Sequence, residues 1–141
     1  MIKIEKLFGG GFNLTTTLNS KHVNFSHLVA DLCSQVDGIE VLGKQVDENR
    51  ECFLLVQYEG KTFYSNGWSG YGSDYILEFR EFSGQLENME PLHNYCYVID
   101  YCNPEINNEE CFYYYFKKDE LKEAKKLQEK LDPGLAFLRE I

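Results

Sequence analysis

Three histidines, five cysteines and a dense run of carboxylates are the side chains of this 141-residue chain that have chemistry to offer. His22, His27 and His93 are the ordinary bases near neutral pH, so hydrolysis of the Cys-His or Ser-His kind would have to use one of them. His93 precedes Cys96 by three residues, with Cys102 and Cys111 further on. A structural zinc site usually presents its ligands as close Cys-Cys or His-His knuckles. Here the cysteines are single and sit in aromatic segments, where Cys acts as a small buried hydrophobe. The spacing therefore calls for no metal, no catalytic residue and no cofactor. The odd number of cysteines (Cys33, Cys52, Cys96, Cys102, Cys111), in a chain long enough to fold without bridges, predicts reduced thiols.

Other arrangements weaken on inspection. Gly9-Gly10-Gly11 follows a strand-like segment as a phosphate loop would, but no Lys-Ser/Thr comes next and another strand pattern does, so it predicts a hairpin turn. Glycosidase-like work by Glu78 with Glu81, or Glu109 with Glu110, needs a carboxyl separation of about 5 Å or 6.5–9.5 Å, which chain spacing does not fix. Lys118, Lys122, Lys126 and Lys130 recur every fourth residue among Asp119, Glu120, Glu123 and Glu129, the pattern of a solvated helix face.

Two features stand above this background. Residues 74–110 hold nine acids against one base, Arg80, and so carry −8 of the net −9. Seventeen of the twenty-one aromatic residues lie between Phe53 and Phe116, which lays that charge over an aromatic scaffold. The segment from Asn66 to Tyr75 combines three glycines with Trp68, Tyr71 and Tyr75, a composition suited to binding loops and equally to a Trp plug under a hairpin end. Opposite charge steers encounter and aromatic anchors supply contact energy. The expected function is a non-enzymatic, protein-binding inhibitor that blocks a basic active or nucleic-acid-binding site on a partner such as a nuclease or toxin. An immunity protein or a nucleic-acid mimic works in this way. The expected partner-binding residues are Trp68, Tyr71, Asp74, Tyr75, Glu78, Glu81, Glu87 and Glu90. The alternative is a small-ligand binder or small enzyme with an aromatic-lined pocket, in which the tyrosines would point inward around a cavity.

A pI near 4.8 disfavours nucleic acid or an anionic membrane as direct partner, because phosphate binding needs clustered Lys and Arg. The first eight residues lack the apolar core of a signal peptide and no apolar run reaches membrane-spanning length, which predicts a cytoplasmic protein.

The elements that must position these groups follow from periodicity. Residues 2–8 and 12–18 read as a hairpin. Phe25, Leu28, Val29, Leu32, Cys33 and Val36 form the stripe of an amphipathic helix over about residues 25–37, capped by Asn24 or Ser26 and ended by Gly38. Strands follow at 39–46, 52–58 and 62–66, the second apolar on both faces and hence central. Residues 67–73 read as a loop and 75–82 as a strand, although a helix pattern also fits there. Tyr95–Tyr101 alternates cleanly as a strand; 104–110 is an acidic loop and 111–116 a strand aromatic on both faces. A helix over about residues 119–131 is stopped by Asp132-Pro133-Gly134, leaving a tail that packs back. Together these predict one α+β domain over residues 1–141, an antiparallel sheet of about six to eight strands with two helices.

Overall fold

The computed structural model describes residues 2–17, 33, 35–65, 69–71, 74–102 and 111–141, of which 16, 17, 69–71, 74 and 75 are described as backbone only. The chain forms two compact units, one of Met1–Lys44 with Phe53–Gly84 and the other of Gln45–Cys52 with Gln85–Ile141.

The first unit is built on antiparallel strands. β1 (Ile2–Lys6) and β2 (Phe12–Thr17) form the predicted hairpin, with Ile4 opposite Leu14. Gly9 and Gly10 turn it at φ of 103° and 102°, which side chains with a Cβ rarely adopt. Gly11 answers a different need, since a Cβ there would stand 2.5 Å from the Phe79 carbonyl oxygen. β3 (Ile39–Val46), β4 (Cys52–Tyr58) and β5 (Lys61–Ser65) follow as the expected meander, Glu59 and Gly60 closing its second turn with positive φ at both. The strand order runs β1-β2-β7-β5-β4-β3, with β7 at Asp74–Glu81 and the short β6 (Ser69–Tyr71) paired against it. Period-2 alternation puts Phe12, Leu14, Leu54, Val56, Phe63, Leu77 and Phe79 into one core, where Phe12 stacks on Phe79 at 4.9 Å between ring centroids. Leu54, Leu55 and Val56 are all buried, as a central strand requires.

The second unit places β9 (Tyr95–Cys102) between β10 (Cys111–Lys117) and β11 (Ala136–Glu140), both antiparallel to it. On one face Tyr97, Ile99, Tyr101, Phe116 and Ala136 meet Ala124 and Leu127 of the helix Leu121–Lys130 and Leu131 just past its end. β8 (Glu90–Pro91) pairs with Val46 and Gln45 at the end of β3.

Several expectations change. Among the described residues the single expected sheet becomes an eight-stranded and a three-stranded sheet. Residues 69–71 are a strand, the tail contributes β11, and the ambiguous segment is the strand β7. The helix begins at Leu121 after a 3-10 turn (Lys118–Glu120). The early helix over about 25–37 lies outside the described residues apart from Cys33, helical and fully buried, and the turn residues 35–37. The thiols are not all reduced: Cys102 and Cys111 form a disulfide. They are opposite one another in the β9–β10 register with Cα atoms 4.4 Å apart, a proximity that counting cysteines cannot reveal. Among the described residues no helix is long and apolar enough to cross a membrane.

Candidate protein-binding surface

The carboxylates expected to act together are divided between the two units. Trp68 lies outside the described residues; Tyr71 sits on β6 with Asp74 and Tyr75 on β7, their backbones paired as Tyr71 with Asp74 and Gly70 with Tyr75. Glu78 and Glu81 are also on β7, but three residues apart on a strand means opposite faces. Glu81 stands opposite Phe63 at the margin of the core face, 3.8 Å from Lys61 Nζ. Glu78 accepts a hydrogen bond from Arg80 Nε at 3.0 Å on the other face. Glu87, exposed in the 3-10 turn Leu86–Asn88, and Glu90 on β8 belong to the second unit. Glu90 pairs with Lys117 Nζ at 2.6 Å. Three of these four carboxylates thus already face a base, in exposed pairs that contribute about 0–1 kcal/mol each but cancel local charge.

Charge is concentrated on the second unit. Its residues comprise fifteen acids against eight bases, −7 of the net −9. Six of those bases lie in Lys117–Lys130, so the rest of the unit has only Arg50 and Arg139 to set against eleven acids. Both arginines are held in ion pairs.

Arg50 is held most firmly. It occupies the left-handed region (φ 68°) at the end of the Asp47–Glu51 turn, and its carbonyl accepts the Tyr115 N–H at 2.9 Å. Its guanidinium lies 4.3 Å from the Phe116 ring centroid and forks onto Glu120 through Nη1 at 3.1 Å and Nη2 at 2.8 Å. Glu120 Oε1 also accepts the Lys117 N–H at 2.8 Å. The Arg50 hydrogen bonds hold the Glu120 carboxyl below the usual carboxylate range.

Arg139 marks a different place, the face of the three-stranded sheet turned away from the helix. Register sets Tyr113 and Phe137 on either side of Asp100, and Tyr115 and Arg139 on either side of Val98. Arg139 Nε donates to Asp100 Oδ2 at 2.9 Å, while Asp100 Oδ1 is buried with no hydrogen-bond partner. An unsatisfied oxygen of this kind costs about 1–3 kcal/mol. Tyr113 and Phe137 are large rings left 45% and 63% exposed, although burial pushes the Tyr115 hydroxyl up to about 12. Comparison with protein-family models, with curated proteins and with solved structures found no match for this chain.

The tail's own alternation, Ala136 and Leu138 against Phe137 and Arg139, is the sequence signal that would have disclosed this row. Elsewhere in the second unit, a surface cleft of about 690 Å³ is lined by Glu90, Asn94, Lys117, Lys118 and Asp119. It is charged and open where a pocket for a small apolar ligand would be aromatic and enclosed.

Proposed function

We propose that this chain is a non-enzymatic binding protein whose acidic second unit engages a basic protein and blocks its active or nucleic-acid-binding site. The observation that carries the reading is the coincidence of two exposed rings, Tyr113 and Phe137, with the unit that holds −7 of the charge. Aromatic anchors supply affinity and the surrounding acids steer approach. The surface differs from the set expected from the sequence: of that set, Glu87 and Glu90 belong to this unit, Tyr71, Asp74, Tyr75, Glu78 and Glu81 belong to the other, and Trp68 lies outside the described residues.

The test is capture of partners from the native source by the full chain, followed by association kinetics with the captured protein. A basic protein should bind, with an on-rate that falls steeply as salt rises past the point where the screening length is about 8 Å. Replacing Glu87, Glu90, Asp100 and Glu140 by their amides should slow association several-fold at low salt and much less at high salt, whereas amides at Glu5, Glu40, Glu59 and Glu81 in the first unit should not. Equal slowing by both sets would reduce the effect to global charge. Capture of a small molecule in place of a protein would favour the ligand-binding alternative.

A further inference from the structure

Resting on that reading, we propose that the outer edge of β11 takes up a short extended segment of the basic partner as an added antiparallel strand, with a Lys or Arg of that segment opposite Glu140. β11 is an outer strand of the three-stranded sheet. Its bonding to β9 is fixed at both ends, where the Cys102 N–H donates to the Leu135 carbonyl at 3.4 Å and the Ile141 N–H to the Cys96 carbonyl at 2.8 Å. Bonding positions alternate in an antiparallel pair, so Phe137 and Arg139 also turn their backbone groups to β9, whereas Ala136, Leu138 and Glu140 turn theirs outward. The first outward position is already closed. The Ala136 N–H donates to the Asp132 carbonyl, and the Ala136 carbonyl accepts from Gln128 Nε2, both at 2.9 Å. Among the described residues the outward N–H and C=O groups of Leu138 and Glu140 have no partner. These two donors and two acceptors, on alternate residues of an edge, are what an added strand pairs with.

The side chains along this edge select the occupant. Glu140 is exposed and, among the described residues, makes no ion pair, so a base opposite it gains a cross-strand partner. Phe137, 63% exposed, stands at a position where facing residues of an added strand come closest, which suits a β-branched side chain. Read from its N-terminal end, the docked segment is therefore a base opposite Glu140, a small polar residue opposite Arg139, an apolar residue opposite the half-buried Leu138 and a β-branched residue opposite Phe137. The unit's net −7 favours such a segment over an acidic one. A second copy of the chain fits poorly. The antiparallel register that satisfies all four free groups sets Leu138 of one copy opposite Glu140 of the other, which puts Arg139 opposite Arg139 and brings two acidic units together.

The probe is the blocked peptide Ser-Arg-Thr-Val-Ile-Ser, titrated into the isotope-labelled full chain. It should shift the Leu138 and Glu140 amide resonances saturably and slow their hydrogen exchange. A peptide with Glu in place of Arg should bind at least fivefold more weakly, and Glu140→Lys, at an exposed position, should reverse that order. N-methylation of the peptide's Arg or Val, whose N–H groups face β11, should abolish binding, whereas N-methylation of the Thr between them should leave it within about twofold. Shifts confined to other residues, equal effects of all three N-methyl groups, or a preference that Glu140→Lys leaves unchanged would overturn the proposal. So would a dimer of the chain that protects the Leu138 and Glu140 amides without peptide. A captured basic partner that binds the Glu140→Lys variant as well as it binds Glu129→Lys, the same charge change on the helix, would overturn it while leaving the binding-protein reading in place. Saturable binding of the peptide at this edge without any captured basic partner would uphold the site and count against that reading.

Discussion

Breaking the bridge between Cys102 and Cys111 should destabilise the protein by an amount that loop closure sets. The bond joins residues nine apart and so closes a ring of ten. In the chain-entropy treatment such a ring lowers the entropy of the unfolded chain by about 9 cal/mol/K, or about 2.7 kcal/mol at 25 °C. Replacing both cysteines by Ser should therefore lower stability by about that amount. With a urea dependence of about 1–3 kcal/mol/M, the unfolding midpoint should fall by roughly 1–3 M. The assay is urea unfolding of wild type and double variant followed by far-ultraviolet circular dichroism, with and without a dithiol reductant. The midpoints should differ without reductant and converge with it, wild type moving to meet the variant. Alkylation of the unreduced, denatured wild type should label Cys33, Cys52 and Cys96 and spare the other two. Identical midpoints under oxidising conditions, or five labelled cysteines, would refute the pairing.

Glu120→Gln should cost about 1–3 kcal/mol, the range for a hydrogen bond to a charged group, measured by thermal melts. Because Arg50 depresses the Glu120 pKa, that carboxylate's contribution is fully present above the ordinary value of 4.5 and is lost as pH falls through the folded value; a pH series in which wild type and variant converge in acid checks the sign. Phe12→Ala removes a ring that stacks on Phe79 and contacts Tyr58 and Phe63, each 5.0 Å away, and should cost about 3–5 kcal/mol in the same melts. Burial pushes the Cys33 thiol up to about 12, so alkylation of the native protein at pH 8 should spare it; labelling of Cys33 as fast as Cys96 would show that the site opens readily.

Regular alternation was legible and crossings between strands were not. Tyr95 to Tyr101 alternates so cleanly that β9 could be read directly, and the Gly9–Gly11 turn fixed the first hairpin. β8 and β11 escaped because strands of two to five residues owe their pairing to a neighbour distant in sequence, as Ala136 does to Tyr101. The disulfide was hidden for the same reason, since Cys102 and Cys111 meet through register. The residues of the expected site are shared between the two units. Glu81 and Glu87 are close in the chain, yet it passes from one unit to the other between Gly84 and Gln85. Its acidity was correctly located in sequence, whereas the Asp100 row depended on a tail strand with little charge of its own.

The threading of Arg50 has a consequence for synthesis. Its guanidinium belongs to the second unit, but it is made inside the sequence span of the first, 70 residues before its partner Glu120. At about 5–20 residues per second, a ribosome needs roughly 4–14 s to deliver that carboxylate after Arg50 has been made. During this interval all residues of the first unit have been polymerised, ending at Gly84, while the 45–52 turn remains without the strand and the carboxylate that will hold it. Loss of Arg50 would therefore leave the synthesis of the first unit untouched and act only once Glu120 has been made.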